Sequence, residues 1–195
     1  MSEEIQRHHD MIKMAVNRTY CIESPQEMDK HIKSKRKWVS YWYKITREKV
    51  VHFAEATGDV QWLHLDDVGF AQRLNEVSHG FGEDPFDRTI AHGFFSLSMI
   101  GGLLGKAVRM GFVKLVVNYG LDYVRFTTPV PIDSEVRVVV GIDKWEYITD
   151  TNDQTKKVGV KVWWDAIVQV KGKDKPAVVA KPILLYYFDR NYTPE

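Results

Sequence analysis

A carboxylate and an imidazole stand five positions apart in the stretch Ala54-Glu-Ala-Thr-Gly-Asp-Val-Gln-Trp-Leu-His-Leu-Asp-Asp: Asp59 and His64, on either side of bulky Trp62 and Leu63. If Trp62 and Leu63 bury themselves, Asp59 and His64 can point into one partly dry pocket and hold a water between them. One would take the water's proton while the other, protonated, delivers a proton elsewhere. The same residues admit a plainer account, in which Asp59 caps a turn after Gly58 and His64 is a satisfied, half-buried histidine. A second constellation is Thr89-Ile-Ala-His-Gly-Phe-Phe-Ser, where the chain enters an apolar helix at or just after His92-Gly93. The first N–H groups of a helix lack internal partners and carry the positive end of its dipole. Gly93, without a side chain, would let a carbonyl oxygen reach its N–H, which makes an oxyanion-type site. Tight packing at the start of a core helix explains the same glycine. His92 reads as an orienting or packing residue. Ser96 and Ser98 lie in the apolar helix, where a hydroxyl usually bonds back to the preceding turn.

Other chemistries are poorly served. Asp59, His64, Asp66, Asp67, His79 and His92 are ligand types for zinc or iron, but there is no His-x-x-x-His and no Cys pair, so no metal is expected. No Gly-x-Ser-x-Gly occurs, Cys21 has no recognisable partner, and Gly80-Phe-Gly82 does not form a phosphate-cradling loop.

The elements that must position these residues follow from pattern. Trp38 to Ile45 is aromatic and β-branched and predicts a strand. A helix then runs from Thr46, with Val50, Phe53 and Ala54 on one face, to Gly58, which can supply its left-handed end. Gly93 to about Arg109 predicts a helix apolar nearly all round, hence buried on most sides. Gly101, Gly102 and Gly105 inside it each cost about 1 kcal/mol against Ala, so close approach of a wrapping sheet is expected there. Four strands follow: Leu121–Thr128, Glu135–Trp145, Val158–Val170 with unbroken alternation, and Ala177–Phe188, where Pro182 suggests an edge or a bulge. Read as an antiparallel meander wrapping the central helix, they make an α+β domain of the hotdog kind, with an open sheet edge suited to dimerisation. Residues 1–37 form a polar, helix-leaning arm in which Ser24-Pro25 resembles a helix start; 38–188 hold the domain and 189–195 a tail.

Composition bounds the setting. The chain has 195 residues, 44% hydrophobic, with 27 Lys+Arg against 26 Asp+Glu and one cysteine. One core-bearing domain fits that length. A net charge of +1 argues against binding nucleic acid or a membrane by bulk charge. A lone cysteine, a charged N-terminus and no long apolar span predict a cytoplasmic protein.

Three motifs in order resemble the MaoC-like, (R)-specific enoyl-CoA hydratase family, and within it the nodulation-protein-N-like branch. They are Ala56-Thr-Gly-Asp-Val-Gln-Trp-Leu-His-Leu-Asp, Pro85-Phe-Asp-Arg-Thr-Ile-Ala-His-Gly-Phe-Phe-Ser-Leu-Ser and Tyr119-Gly-Leu-Asp-Tyr-Val-Arg-Phe-Thr-Thr-Pro-Val-Pro. The resemblance implies a hotdog fold acting on CoA or carrier-protein thioesters, adding water reversibly to a 2-enoyl thioester to give an (R)-3-hydroxyacyl thioester, without metal or redox cofactor. It implies that Asp59 and His64 activate the water and exchange protons, that the Gly93 N–H polarises the thioester carbonyl, and that Gln61, His92 and Ser98 support substrate binding. The open sheet edge leads to the expectation of a homodimer or a dimer of dimers. Three departures stand out. The stretch from Asp59 to His92 is longer than the family's usual one, with an insertion near 74–84 that can shape the acyl pocket. An ungapped alignment puts Gly101 where the family's hydratases carry a serine. The N-terminal arm lies outside the resemblance. A hotdog thioesterase and a non-catalytic acyl-thioester binder remain the alternatives.

Overall fold

The computed structural model describes residues 19–65 and 89–194. The insertion expected near 74–84 lies outside the described residues, as do the first 18.

The chain begins with β1 (Tyr20–Ile22) and α1 (Pro25–Lys33), the helix opening after Ser24 with proline in its first turn. Ile22 and Met28 are fully buried in the same core as Trp38, so packing shows no boundary at residue 37. The strand expected over Trp38–Ile45 divides into β2 (Trp38–Val39) and β3 (Tyr43–Lys44). Both pair with one edge of β6 (Glu135–Thr149). Between them Ser40 continues the ladder, its N–H donating to the Val138 carbonyl and its hydroxyl accepting from the Val138 N–H, each at 2.9 Å.

Helix α2 (Arg47–Thr57) ends as expected at Gly58, which is left-handed (φ 74°) and donates its N–H to Ala54 O. Helix α3 (Gly93–Ala107) is the central helix, followed by β4 (Val108–Met110), which pairs in parallel with β1. The long strands are β5 (Val113–Phe126), β6, β7 (Lys157–Val170) and β8 (Val178–Phe188). The sheet order β2-β6-β7-β8-β5 corrects the expected four-strand meander: β6, β7 and β8 follow one another, but β5 lies on the far side of β8. Hence β8 is an interior strand. Pro182 is tolerated there because pairing with β5 is irregular next to it, with a register shift between Leu121 and Tyr123.

One face of α3 meets the sheet through Phe95, Ile100, Leu103, Leu104 and Ala107, packed over Val138, Val140, Val162, Trp164 and Leu184. Among the described residues the other face is open, Ser98 and Gly101 lining a cleft toward β5. Gly101, Gly102 and Gly105 are exposed, and a Cβ at any of them would meet nothing within 4 Å. The expectations that this helix is buried on most sides and that its glycines admit its own sheet are therefore corrected. The glycine side turns away from the sheet, as it must once the aliphatic side faces it. No helix among the described residues is long and apolar enough to cross a membrane.

Candidate active site

One short segment, from Gly58 to Leu65, carries both Asp59 and His64. After Gly58 turns the chain, Val60 (4% exposed) and Leu65 (5%) pack against Ala54 of α2 in a small satellite core. These residues, and not half-buried Trp62 and Leu63, anchor the segment. Asp59 precedes this anchor, and His64 closes a single 3-10 turn, Trp62–His64, whose backbone donates from His64 N to Gln61 O at 3.0 Å. Gln61 is exposed and serves that turn through its backbone.

His64 is 8% exposed, and its Nδ1 lies 2.8 Å from the Ile90 carbonyl. A carbonyl only accepts, so Nδ1 carries the proton and Nε2 of the neutral ring is left as the acceptor. Burial lowers the pKa of His64 below its ordinary value. The Ile90 hydrogen bond opposes burial with the next largest effect, and the nearby His92 adds a smaller downward push and Asp59 a still smaller upward pull. The ring is thus held neutral and available as a base at neutral pH.

Gly93 is the first residue of α3, so its N–H has no intrahelical acceptor. It lines a cleft of about 350 Å³ together with His64, Ser96 and Phe126. The packing account has an observation behind it: a Cβ at Gly93 would meet the Phe126 ring at 3.1 Å. A carboxylate oxygen of Asp59 and one ring nitrogen each of His64 and His92 lie within 4.8 Å of one another. Such a trio has the composition of a metal site, but the His64 and His92 rings are stacked, centroids 3.8 Å apart and planes 31° apart. Two of the four ring nitrogens are committed to backbone carbonyls, His64 Nδ1 to Ile90 O and His92 Nε2 to Asp59 O.

The remaining expected residues separate. Ser98 lines a different opening with Leu97, Gly101, Asn118 and Leu121, and its hydroxyl donates to Phe95 O at 2.7 Å. His92 is 2% exposed and stands behind the cleft with its Nε2 on the Asp59 carbonyl at 2.8 Å. Ser96, one helical turn beyond Gly93, is the serine in the His64 cleft; its hydroxyl bonds back to His92 O at 3.3 Å. The i, i+3 spacing from Gly93 was the available signal for it. Phe126 stood in the sequence only as part of the third motif, because only the fold brings β5 to the start of α3.

A family model, MaoC like domain, matches residues 29–163. Over 150 residues the chain is 39% identical to 3-hydroxyacyl-thioester dehydratase Z of Mycobacterium tuberculosis, covering 75% of this chain and 85% of that protein. It is 28% identical to Nodulation protein N of Rhizobium leguminosarum over 157 residues, 80% of this chain and 87% of the relative. Among solved structures, an R-hydratase from Pseudomonas aeruginosa superposes with a TM-score of 0.54 at 19% identity, covering 79% of this chain and 81% of that one, a likeness of fold. The dyad segment, the His-Gly start of the central helix and the wrapped sheet occur together because the chain belongs to the MaoC-like family.

Proposed function

We propose that this protein is an (R)-specific hydratase/dehydratase of 2-enoyl and 3-hydroxyacyl thioesters, carried on CoA or on a carrier protein. One observation carries the reading: His64, whose Nε2 is left as the acceptor, and Gly93, whose N–H has no acceptor within its helix, line one cleft, with the Asp59 carboxylate within 4.8 Å of the histidine. The name of the dehydratase relative supports the substrate class.

In the hydration direction, the thioester carbonyl accepts a hydrogen bond from Gly93 N–H, drawing electron density from C3. Asp59 orients a water whose oxygen bonds to C3 while His64 Nε2 takes its proton. The electron pair of the 2,3-double bond moves to the thioester oxygen, where Gly93 N–H and the start of α3 stabilise it. Protonated His64 then returns the proton to C2. The elements of water are added, and dehydration is the reverse. Metal and redox cofactors have no part in these steps, and a cytoplasmic setting fits the free thiol of Cys21.

The working unit is proposed to be a homodimer. Strand β5 is an outer strand whose Leu115, Val116, Val117, Tyr119 and Leu121 are 38–60% exposed. Such an edge invites pairing. A second copy set along β5 would cover it and offer its own α3 to the open glycine face.

The deciding assay follows 2-enoyl-CoA of several chain lengths, with EDTA present, by enoyl absorbance, free thiol and product chirality. Absorbance loss without thiol, giving the (R)-3-hydroxy product, is expected. Thiol release would mean a thioesterase, and neither signal a binder. Asp59→Asn and His64→Gln should each lower kcat by about 10²–10⁴-fold, the usual share of general acid–base catalysis; full activity in either variant overturns the site.

A further inference from the structure

We propose that His92 is the positioning residue of the dyad: its Nε2–H bond to the Asp59 carbonyl and its stack on His64 set the carboxylate and the imidazole against each other. The proposal rests on the hydratase reading above and assigns the side chain that holds that site in register.

His92 touches every part of the site without lining it. Its Nε2 lies 2.8 Å from Asp59 O, its ring centroid 3.8 Å from that of His64, and its own backbone caps α3 immediately before Gly93. Phe53 of α2 closes the other side at 5.1 Å between ring centroids. Because the Asp59 carbonyl only accepts, Nε2 carries a proton, and Nδ1 is the ring's other nitrogen. That Nδ1 is buried and has no partner among the described residues. An unpaired buried polar atom costs about 1–3 kcal/mol, so packing alone favours an apolar side chain of this size. The imidazole supplies what such a side chain lacks, a donor aimed at the backbone of Asp59. A fixed geometry matters here because a misplacement of about 1 Å can cost roughly 10²-fold in rate.

Electrostatics add a second effect. Among the described residues, the titratable groups acting on His64 are Asp59 and His92. Two stacked imidazoles resist carrying two charges, so His92 helps keep His64 neutral.

Two substitutions separate positioning from packing. His92→Phe keeps the ring and loses the donor; His92→Gln keeps an N–H near the position of Nε2 and loses the ring. His92→Phe is expected to lower kcat about 10–100-fold with KM within about 3-fold of wild type, whereas His92→Gln should recover to within about 5-fold of wild type. On an Asp59→Asn background, His92→Phe should cost less than about 3-fold more, because the carboxylate it positions is gone. Independently of activity, an NMR titration of the histidine rings should show the His64 midpoint rising in His92→Phe. Equal kcat losses in the Phe and Gln variants, the same loss in both backgrounds, or an unmoved His64 midpoint would each overturn the proposal. An inactive wild type would refute the hydratase reading and leave the titration as the test of His92.

Discussion

Replacing Gly93 by proline tests the carbonyl site at the level of a single atom. Proline is favoured at the first position of a helix, where its missing N–H has no intrahelical role. It also requires an extended residue before it, and His92 has φ −55° and ψ 141°. The backbone therefore accepts the change. Its Cβ meets the Phe126 ring at 3.1 Å, as any Cβ here does, and its Cδ takes the place of the amide hydrogen. Phe126 is 45% exposed and can tilt outward, so about 1 kcal/mol is expected, at the low end for overpacking. Gly93→Ala has the same Cβ contact and keeps the N–H, which makes it the control for packing against Phe126. If Gly93 N–H holds the developing charge on the thioester oxygen, Gly93→Pro should turn over about 10²–10³-fold more slowly than Gly93→Ala, the range for losing one oxyanion donor. The two variants should melt at similar temperatures. Enoyl-CoA hydration read by absorbance, with melting followed by circular dichroism, measures both quantities. Equal kcat in two folded variants would refute the oxyanion role and leave Gly93 as a packing residue.

The pH dependence follows from the lowered pKa of His64. As pH falls through the ordinary histidine value of 6.5, the unfolded chain takes up a proton that the folded chain resists. Stability therefore falls from there down to the folded midpoint, then levels. Urea unfolding of wild type and His64→Gln across that window should show a loss confined to wild type, and the acidic limb of kcat/KM should lie below 6.5; a limb above it contradicts His64 as the base. Along β5, Val116→Asp or Leu121→Asp, each about half exposed in the single chain, should leave the fold intact and weaken self-association by at least about 10²-fold, since an unpaired charge buried at an interface costs several kcal/mol. Sedimentation velocity reads this, and a wild type that is monomeric at micromolar concentration would refute the dimer.

What was legible in the sequence was what one chain decides locally. Helix α2 and its left-handed Gly58, the start of α3 at His92-Gly93 and the hairpins joining β6, β7 and β8 all follow from periodicity and turn chemistry. What escaped depends on partners distant in sequence. Strand β5 starts at Val113, well before the expected Leu121, because Leu115-Val-Val lacks the alternation of a strand with one buried face. The place of β5 beside β8 is a choice of topology on which local pattern is silent. The glycines of α3 looked like a packing device toward their own sheet because a helical wheel records which residues share a side, not which neighbour that side meets. Ser98 was favoured over Ser96 for want of knowing which side of α3 meets the cleft.

The closure of the site also explains how a longer segment between Asp59 and His92 is compatible with an intact dyad. Ile90 donates its N–H to Leu63 O at 3.2 Å, and its carbonyl accepts Nδ1–H of His64 at 2.8 Å. Ala91 N–H bonds to Val130 O at 2.8 Å, which ties the same strip to the segment between β5 and β6. The two chain positions that bound residues 66–88 are thus clamped to each other immediately beside the dyad. Lengthening a closed loop costs only about 0.6 kcal/mol per doubling, so added residues there do not by themselves strain the clamp. The dyad geometry is set by the pairing of Leu63 and His64 with Ile90, and by the bond of His92 to Asp59, whatever the length between them.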